Sequence, residues 1–170
     1  SLSELTDNCL DSFDRYQEVK KCWRKVEGDW VLMDIIFTEN WDSPTKKHAV
    51  IRELRNTIKK SGAVFAYLDG GQFLAFGSMS GEFFGRTAKY LQLELLHVSR
   101  ELRGKGLGSA LFNSCIEFAR EKAAENVYIS GHSCEETQGF YKAMGCRPAT
   151  EINSELFYRE PFDVHLEFIL

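Results

Sequence analysis

The sequence lacks the features that mark several large protein classes. It has 170 residues with only three prolines and no long Pro/Gly/Ser tract, so residues 1–170 read as one continuous domain rather than modules on a linker. No apolar run is long enough to cross a bilayer, and the opening stretch Ser1 to Asp7 is polar and mixed, unlike a signal peptide. An excess of one charge is also missing. A formal charge of -4 gives no blanket attraction to phosphate backbones. The densest basic stretches, such as Lys20-Lys21 with Arg24-Lys25, read as solvated sides or ends of elements. Neither nucleic acid nor a membrane is therefore expected as a partner. The cysteines, Cys9, Cys22, Cys115, Cys134 and Cys146, are odd in number, widely spaced and without a CxxC pair. That pattern excludes a disulfide framework and a thiolate zinc site, and favours a reducing, cytoplasmic setting. The four histidines, His48, His97, His132 and His165, are dispersed and none forms HExxH, so no metal is expected.

What is present is an ordinary globular composition, 44% hydrophobic and 13% aromatic, enough for a packed core and unlike disorder. Periodicity predicts a helix over Leu10 to Val26, with Phe13, Tyr16, Cys22 and Trp23 on one side. The apolar run Val31 to Phe37 is ambiguous. Thr45 to Lys60 reads as a helix stopped by Ser61-Gly62. Ala63 to Leu68 and Phe73 to Met79 read as a hairpin around Asp69-Gly70-Gly71. Tyr90 to Val98 is a nearly apolar strand, as for one buried on both faces. Leu107 to Ala123 is the best-marked helix, Asn126 to Ile129 a strand and Thr137 to Met144 a short helix. The tail from Phe157 to Leu170 reads as two strand pieces around Pro161, the second alternating as if covered on one side only. The class is α+β, a mixed sheet with helices against it.

Chemistry concentrates in Arg103-Gly104-Lys105-Gly106-Leu107-Gly108, which follows a strand and opens a helix. Three glycines in five positions permit unusual backbone angles and close approach. A helix start presents unpaired N–H groups and a dipole favouring negative charge. Together they make a cradle for a phosphate or pyrophosphate, with Arg103 and Lys105 beside it. The GxGxG spacing fits neither the dinucleotide GxGxxG nor a P-loop.

On these residues the sequence resembles the GCN5-related N-acetyltransferase (GNAT) family. The family's Gln/Arg-x-x-Gly-x-Gly/Ala loop is matched by Arg103, Gly106 and Gly108. Its FYxxxGF hallmark is matched by Phe140, Tyr141 and Gly145, with Cys146 for the usual aromatic and Glu135 where an Asn is often found. The resemblance implies the GNAT acyl-CoA N-acyltransferase fold, a central, mostly antiparallel sheet flanked by helices. It implies acetyl-CoA as acyl donor, with its pyrophosphate on Arg103, Gly104, Lys105, Gly106, Leu107, Gly108 and Ser109. It further implies a pantetheine arm along the main chain of Leu96, His97 and Val98. The departure is at the N-terminus, where no convincing first strand precedes the Leu10 helix; Leu2 to Leu5 is the candidate.

Such an enzyme aligns an amine with a thioester, takes a proton from the amine and gives one to the leaving thiolate. Tyr141 is the candidate acid, since the resemblance places a tyrosine near the sulfur. Glu94 is the candidate base or amine anchor, because a carboxylate interrupting an apolar strand needs a partner or a function. By alternation Glu94 shares a strand face with Leu96 and Val98, opposite His97, so the two could serve one amine only across a bulge. Glu82 is a weaker candidate for the acceptor pocket, where Glu94, Glu135 and Glu136 would add negative charge. A nucleophilic Cys134 beside His132 ranks below direct transfer. The expected acceptor is the amine of a small molecule or peptide, and the C-terminal strand leaves a homodimer open. Two other readings remain: a noncatalytic acyl-CoA-binding sensor, and an adaptor using the same anion site for another phosphate.

Overall fold

A computed structural model describes residues 2–170; Ser1, within the polar opening stretch, lies outside them. The chain begins with a short 3-10 turn, Leu2–Glu4, not a strand. The expected Leu10 to Val26 helix is absent. In its place the segment turns through residue 12 and then enters strand β1, Gln17–Val26, paired antiparallel with β2, Asp29–Glu39. The ladder shifts register between Val19 and Lys21, where Ile35 and Ile36 of β2 stand opposite Lys20 alone, and Val19 and Cys22, three apart in β1, are both buried in one cluster. A spacing of three thus imitates a helical period inside a strand. The hairpin turns at Glu27 and Gly28, both at positive φ (51° and 100°), as a two-residue turn matching strand twist requires.

Helix α1, Pro44–Lys59, starts as its sequence dictates, with Ser43 Oγ accepting from Lys46 N and proline in the first turn. It buries Ile51, Leu54 and Thr57. Strands β3 (Ala63–Asp69) and β4 (Gln72–Met79) form the expected hairpin, turning at Gly70 and Gly71, both at positive φ. Strand β5 (Tyr90–Val98) follows, then α2 (Leu107–Glu121), β6 (Asn126–Gly131), α3 (Glu135–Ala143) and β7 (Arg147–Pro148). Where the first tail strand was expected lies helix α4, Ser154–Arg159, capped by Asn153; β8 is Val164–Ile169.

Six strands form one sheet in the order β3-β4-β5-β6-β8-β7, in which only β5 and β6 run parallel. Strand β8 lies inside the sheet, not at an edge, and is covered on both faces: Val164, His165, Leu166 and Glu167 are all buried. The helix face of α2 packs Phe112, Cys115 and Ile116 on Leu91, Leu93, Val127 and Ile129. Each fully buried side chain of this size contributes about 1.5–3 kcal/mol. The opposite sheet face is covered by α1 and the N-terminal segment through Leu5, Leu10, Phe13, Ile51 and Leu54.

Candidate active site

The parallel pair β5 and β6 is joined only from Tyr90↔Asn126 to Leu93↔Ile129. Beyond that point the strands splay, and a groove of about 740 Å³ opens between them. Its walls include Leu96 and Val98 of β5, Ser130 and Gly131 of β6, and Phe140 and Tyr141 of α3. Arg15 just before β1, Gln17 at its start, and His132 also line it.

At one end lies the glycine turn. Gly104 and Gly106 sit at φ 73° and 84°, and a side chain at either would meet nothing within 4 Å. The glycines are therefore set by backbone angle, not by internal crowding, and they leave the approach to the helix start open. Gly106 is the left-handed N-cap of α2 and has no side chain to satisfy the first-turn amides of Leu107, Gly108 and Ser109. These donors fit a diphosphate. Lys105 is exposed and not part of the groove wall. Arg103 is committed elsewhere: its Nε donates to Val98 O at 3.0 Å, Nη1 to Tyr16 O at 2.8 Å and Nη2 to Arg15 O at 3.1 Å. It ties the turn to the segment before β1, so its guanidinium acts first as a brace.

The β5 edge is more selective than the sequence implied. Ser99 N donates to Leu74 O, which marks Val98↔Ala75 as a non-hydrogen-bonded antiparallel pair. By alternation Leu96 and Val98 turn their main-chain groups toward the groove, while His97 spends its own on Phe76 of β4. The expected main-chain contact at His97 is thus corrected to a side-chain position. The Val98 carbonyl is already taken by Arg103, leaving Leu96 as the best placed main-chain pair.

The β4–β5 ladder jumps from Ser78↔Leu95 to Met79↔Leu93, making Glu94 a bulge residue. This overturns the expected face. Glu94 turns toward α1, where its Oε2 accepts from Thr57 Oγ1 at 2.5 Å, and it shares that side with Leu95 and His97 rather than with Leu96 and Val98. The carboxylate still lines the groove. Burial raises its pKa above the ordinary glutamate range, with the Thr57 hydrogen bond opposing. His97 packs its ring on Trp41 and Phe76, at 5.0 and 5.6 Å between centroids. Burial, with Arg15 and Arg103 nearby, pushes its pKa down to about 3, so it is neutral and a weak base. Tyr141 is buried beside Gly131, and burial raises its phenol, which keeps its proton at neutral pH.

Glu82 is not brought into the groove; it pairs with Lys60 at 2.9 Å, both side chains 63% exposed. Glu136 is the carboxylate that joins Glu94 on the wall, and Glu135 does not. The sequence reading missed a chain of charges at the mouth. Arg15 Nη2 meets Glu39 Oε2 at 2.7 Å, and Glu39 Oε1 lies 3.5 Å from His132 Nε2. Arg15 belongs to the segment misread as a helix, and Glu39 lies just past the ambiguous run Val31 to Phe37, at the end of β2, so no motif pointed to them. Among the described residues no cluster of three His, Cys, Asp or Glu could hold a metal, and no helix is long and apolar enough to cross a membrane.

Comparison with known proteins supplies a frame for this geometry. The model of the acetyltransferase (GNAT) family matches residues 30–146. No curated protein matches the sequence. Among solved structures, nourseothricin acetyltransferase aligns with a TM-score of 0.64 and 17% identity, covering 93% of this chain and 89% of that one. A Bacillus anthracis str. Ames protein assigned as a streptothricin acetyltransferase, solved with acetyl coenzyme A, gives 0.67 and 12% over 93% and 89%. A GNAT-family acetyltransferase from Staphylococcus aureus Mu50 gives 0.59 and 13% over 71% and 75%. At these identities the likeness establishes the fold.

Proposed function

We propose that this chain, which belongs to the acetyltransferase (GNAT) family, moves an acetyl group from acetyl-CoA to a primary amine by direct attack within a ternary complex. The observation that carries this reading is the bulged Glu94 facing the same groove that ends at the glycine turn. The first-turn amides of α2 would take the diphosphate, and Leu96 the amide-rich arm, so the thioester would reach the splay beside Tyr141.

The amine lone pair attacks the thioester carbonyl carbon and the C–S bond breaks. Glu94, directly or through one water, takes the proton lost by nitrogen. Tyr141 gives its phenolic proton to the departing sulfur and recovers one from solvent. The raised Glu94 pKa makes a better base than an ordinary carboxylate, whereas His97, held near 3, is a poor one. Glu94 and Glu136 give the groove negative charge suited to a cationic acceptor, the amine of a small molecule or a peptide.

The test is an acetyl-CoA transfer screen over diamines, aminoglycoside-like amines and lysine peptides, with mass detection of product. Saturable transfer to an amine supports the proposal. Tight acetyl-CoA binding with no transfer to any amine would instead favour the noncatalytic sensor.

A further inference from the structure

Strand β1 forms a separate two-stranded sheet with β2 and runs against the start of α3. There Cys22 and Cys134 form an isolated antiparallel bridge, and Trp23 N donates to Ser133 O at 2.8 Å. That hydrogen bond flanks the pair rather than joining it, so Cys22 and Cys134 are non-hydrogen-bonded partners. Such partners have Cα atoms about 4.5 Å apart with side chains on one face. A disulfide spans Cα separations of about 4.4–6.8 Å. Both thiols belong to one small buried cluster with Val19.

We propose that Cys22 and Cys134 are a site of reversible oxidative modification, closing to a cross-strand disulfide when the protein meets a hydroperoxide. Cys134 is the first thiol to react. Its Sγ lies 3.0 Å from Thr137 Oγ1 and 3.5 Å from Gln17 Nε2, and both of those residues line the groove. A small peroxide in the groove is therefore one side chain from the sulfur, although the thiol itself is fully covered. Burial alone would raise the Cys134 pKa, but hydrogen bonds with His132 and Thr137 outweigh it and favour the thiolate. The other four thiols are all raised by burial, Cys115 and Cys146 to about 12.

The chemistry balances in two steps. The Cys134 thiolate attacks the peroxide oxygen and the O–O bond breaks, giving a sulfenic acid and, after one proton is taken up, an alcohol or water. The Cys22 thiol then displaces the hydroxyl group as water, forming the S–S bond. Two thiols lose two electrons to one peroxide. The product tethers the β1–β2 hairpin to the head of α3, on the side of the groove where Arg15, Gln17 and His132 lie.

The folded wild-type protein is treated with one equivalent of hydrogen peroxide, alkylated, digested without reduction and mapped by mass spectrometry. A Cys22–Cys134 linked peptide that disappears with dithiothreitol is expected, and hydrogen exchange in the hairpin should slow on oxidation. In Cys22→Ser, dimedone should trap a sulfenic acid on Cys134, while Cys115→Ser should still form the link. Free thiols at both positions after treatment, a Cys115–Cys146 link in preference, or a first oxidation at Cys146 would overturn the proposal. The mapping needs no variant and is independent of any acceptor.

Discussion

Two glutamates near the middle of the same sheet have opposite fates. Glu167 of β8 is fully buried. Tyr90 donates to it at 2.6 Å, Asn126 at 3.3 Å, Arg147 Nε at 2.9 Å and Thr150 N at 3.3 Å. Burial would raise its pKa, but these donors outweigh that and hold it below the ordinary range. Glu94 of β5 has Thr57 as its side-chain hydrogen-bond donor, faces a groove and is raised. A buried carboxylate surrounded by donors fixes structure; one left short of donors at a cavity is available for chemistry. The difference arises from register. Glu167 sits in an unbroken ladder, and Glu94 is the extra residue of a bulge.

The contrast is sharpest in Glu94→Gln, which removes the proposed proton acceptor while keeping shape. Turnover should fall about 10²–10⁴-fold, the range for loss of a general base, while the denaturation midpoint holds or rises. Steady-state kinetics beside a urea melt reads both, and an unchanged kcat would remove Glu94 from the chemistry. The reverse pattern is expected of Glu167→Ala. Stripping the acceptor from a buried cluster of donors should cost about 3 kcal/mol, yet acetyl transfer per folded molecule should persist. If that variant loses turnover at unchanged stability, the distinction between the two sites collapses.

Acidification separates the pair by sign. Glu167, lowered in the folded state, contributes stability above its unfolded value of 4.5 that is lost as pH falls below it. Glu94, raised, binds its proton more tightly when folded, so its contribution worsens as pH rises from 4.5 through its folded value. In its proposed role as base it must be deprotonated, so kcat/KM should fall on the acid side at a pH above the ordinary carboxylate range. Thr57→Val removes the hydrogen bond that opposes the raised pKa, and should move that limb to still higher pH. A limb that stays put would show that another group titrates.

Much of this was legible in the sequence. The glycine turn, the strand before it, helix α2 and the short helix that carries Tyr141 all fall where local signals placed them, because each rests on chain neighbours. The failures trace to bulges and to strand order. Val19 and Cys22, spaced like helix neighbours, flank a register shift in which Ile35 and Ile36 of β2 face Lys20 alone; Glu94 bulges out of β5 and reverses its face. Neither shift has a local signature, since the partner strand decides it. Strand β8 alternates like an exposed edge, but its polar positions His165 and Glu167 are buried by Tyr128, Tyr90 and the segment around Thr150, all distant in sequence. The charge chain Arg15–Glu39–His132 likewise joins three separate segments.

The smallest expected effect tests the sequence's remaining candidate. Glu82 is a carboxylate on the loop after β4, and the sequence made it a weaker candidate for the acceptor pocket than Glu94. Its only ion pair among the described residues is with Lys60, and both side chains are largely in water. Exposed pairs of this kind are screened and hold two long side chains at an entropic cost. Glu82→Gln should therefore leave the denaturation midpoint within error and the acceptor KM unchanged at physiological salt. Because Glu82 also lowers the field felt by Glu94, a slight downward shift of the acid limb is expected at low ionic strength and should vanish as salt is added. A raised acceptor KM that survives high salt would place Glu82 against the bound amine, and would require the loop after β4 to close over the groove.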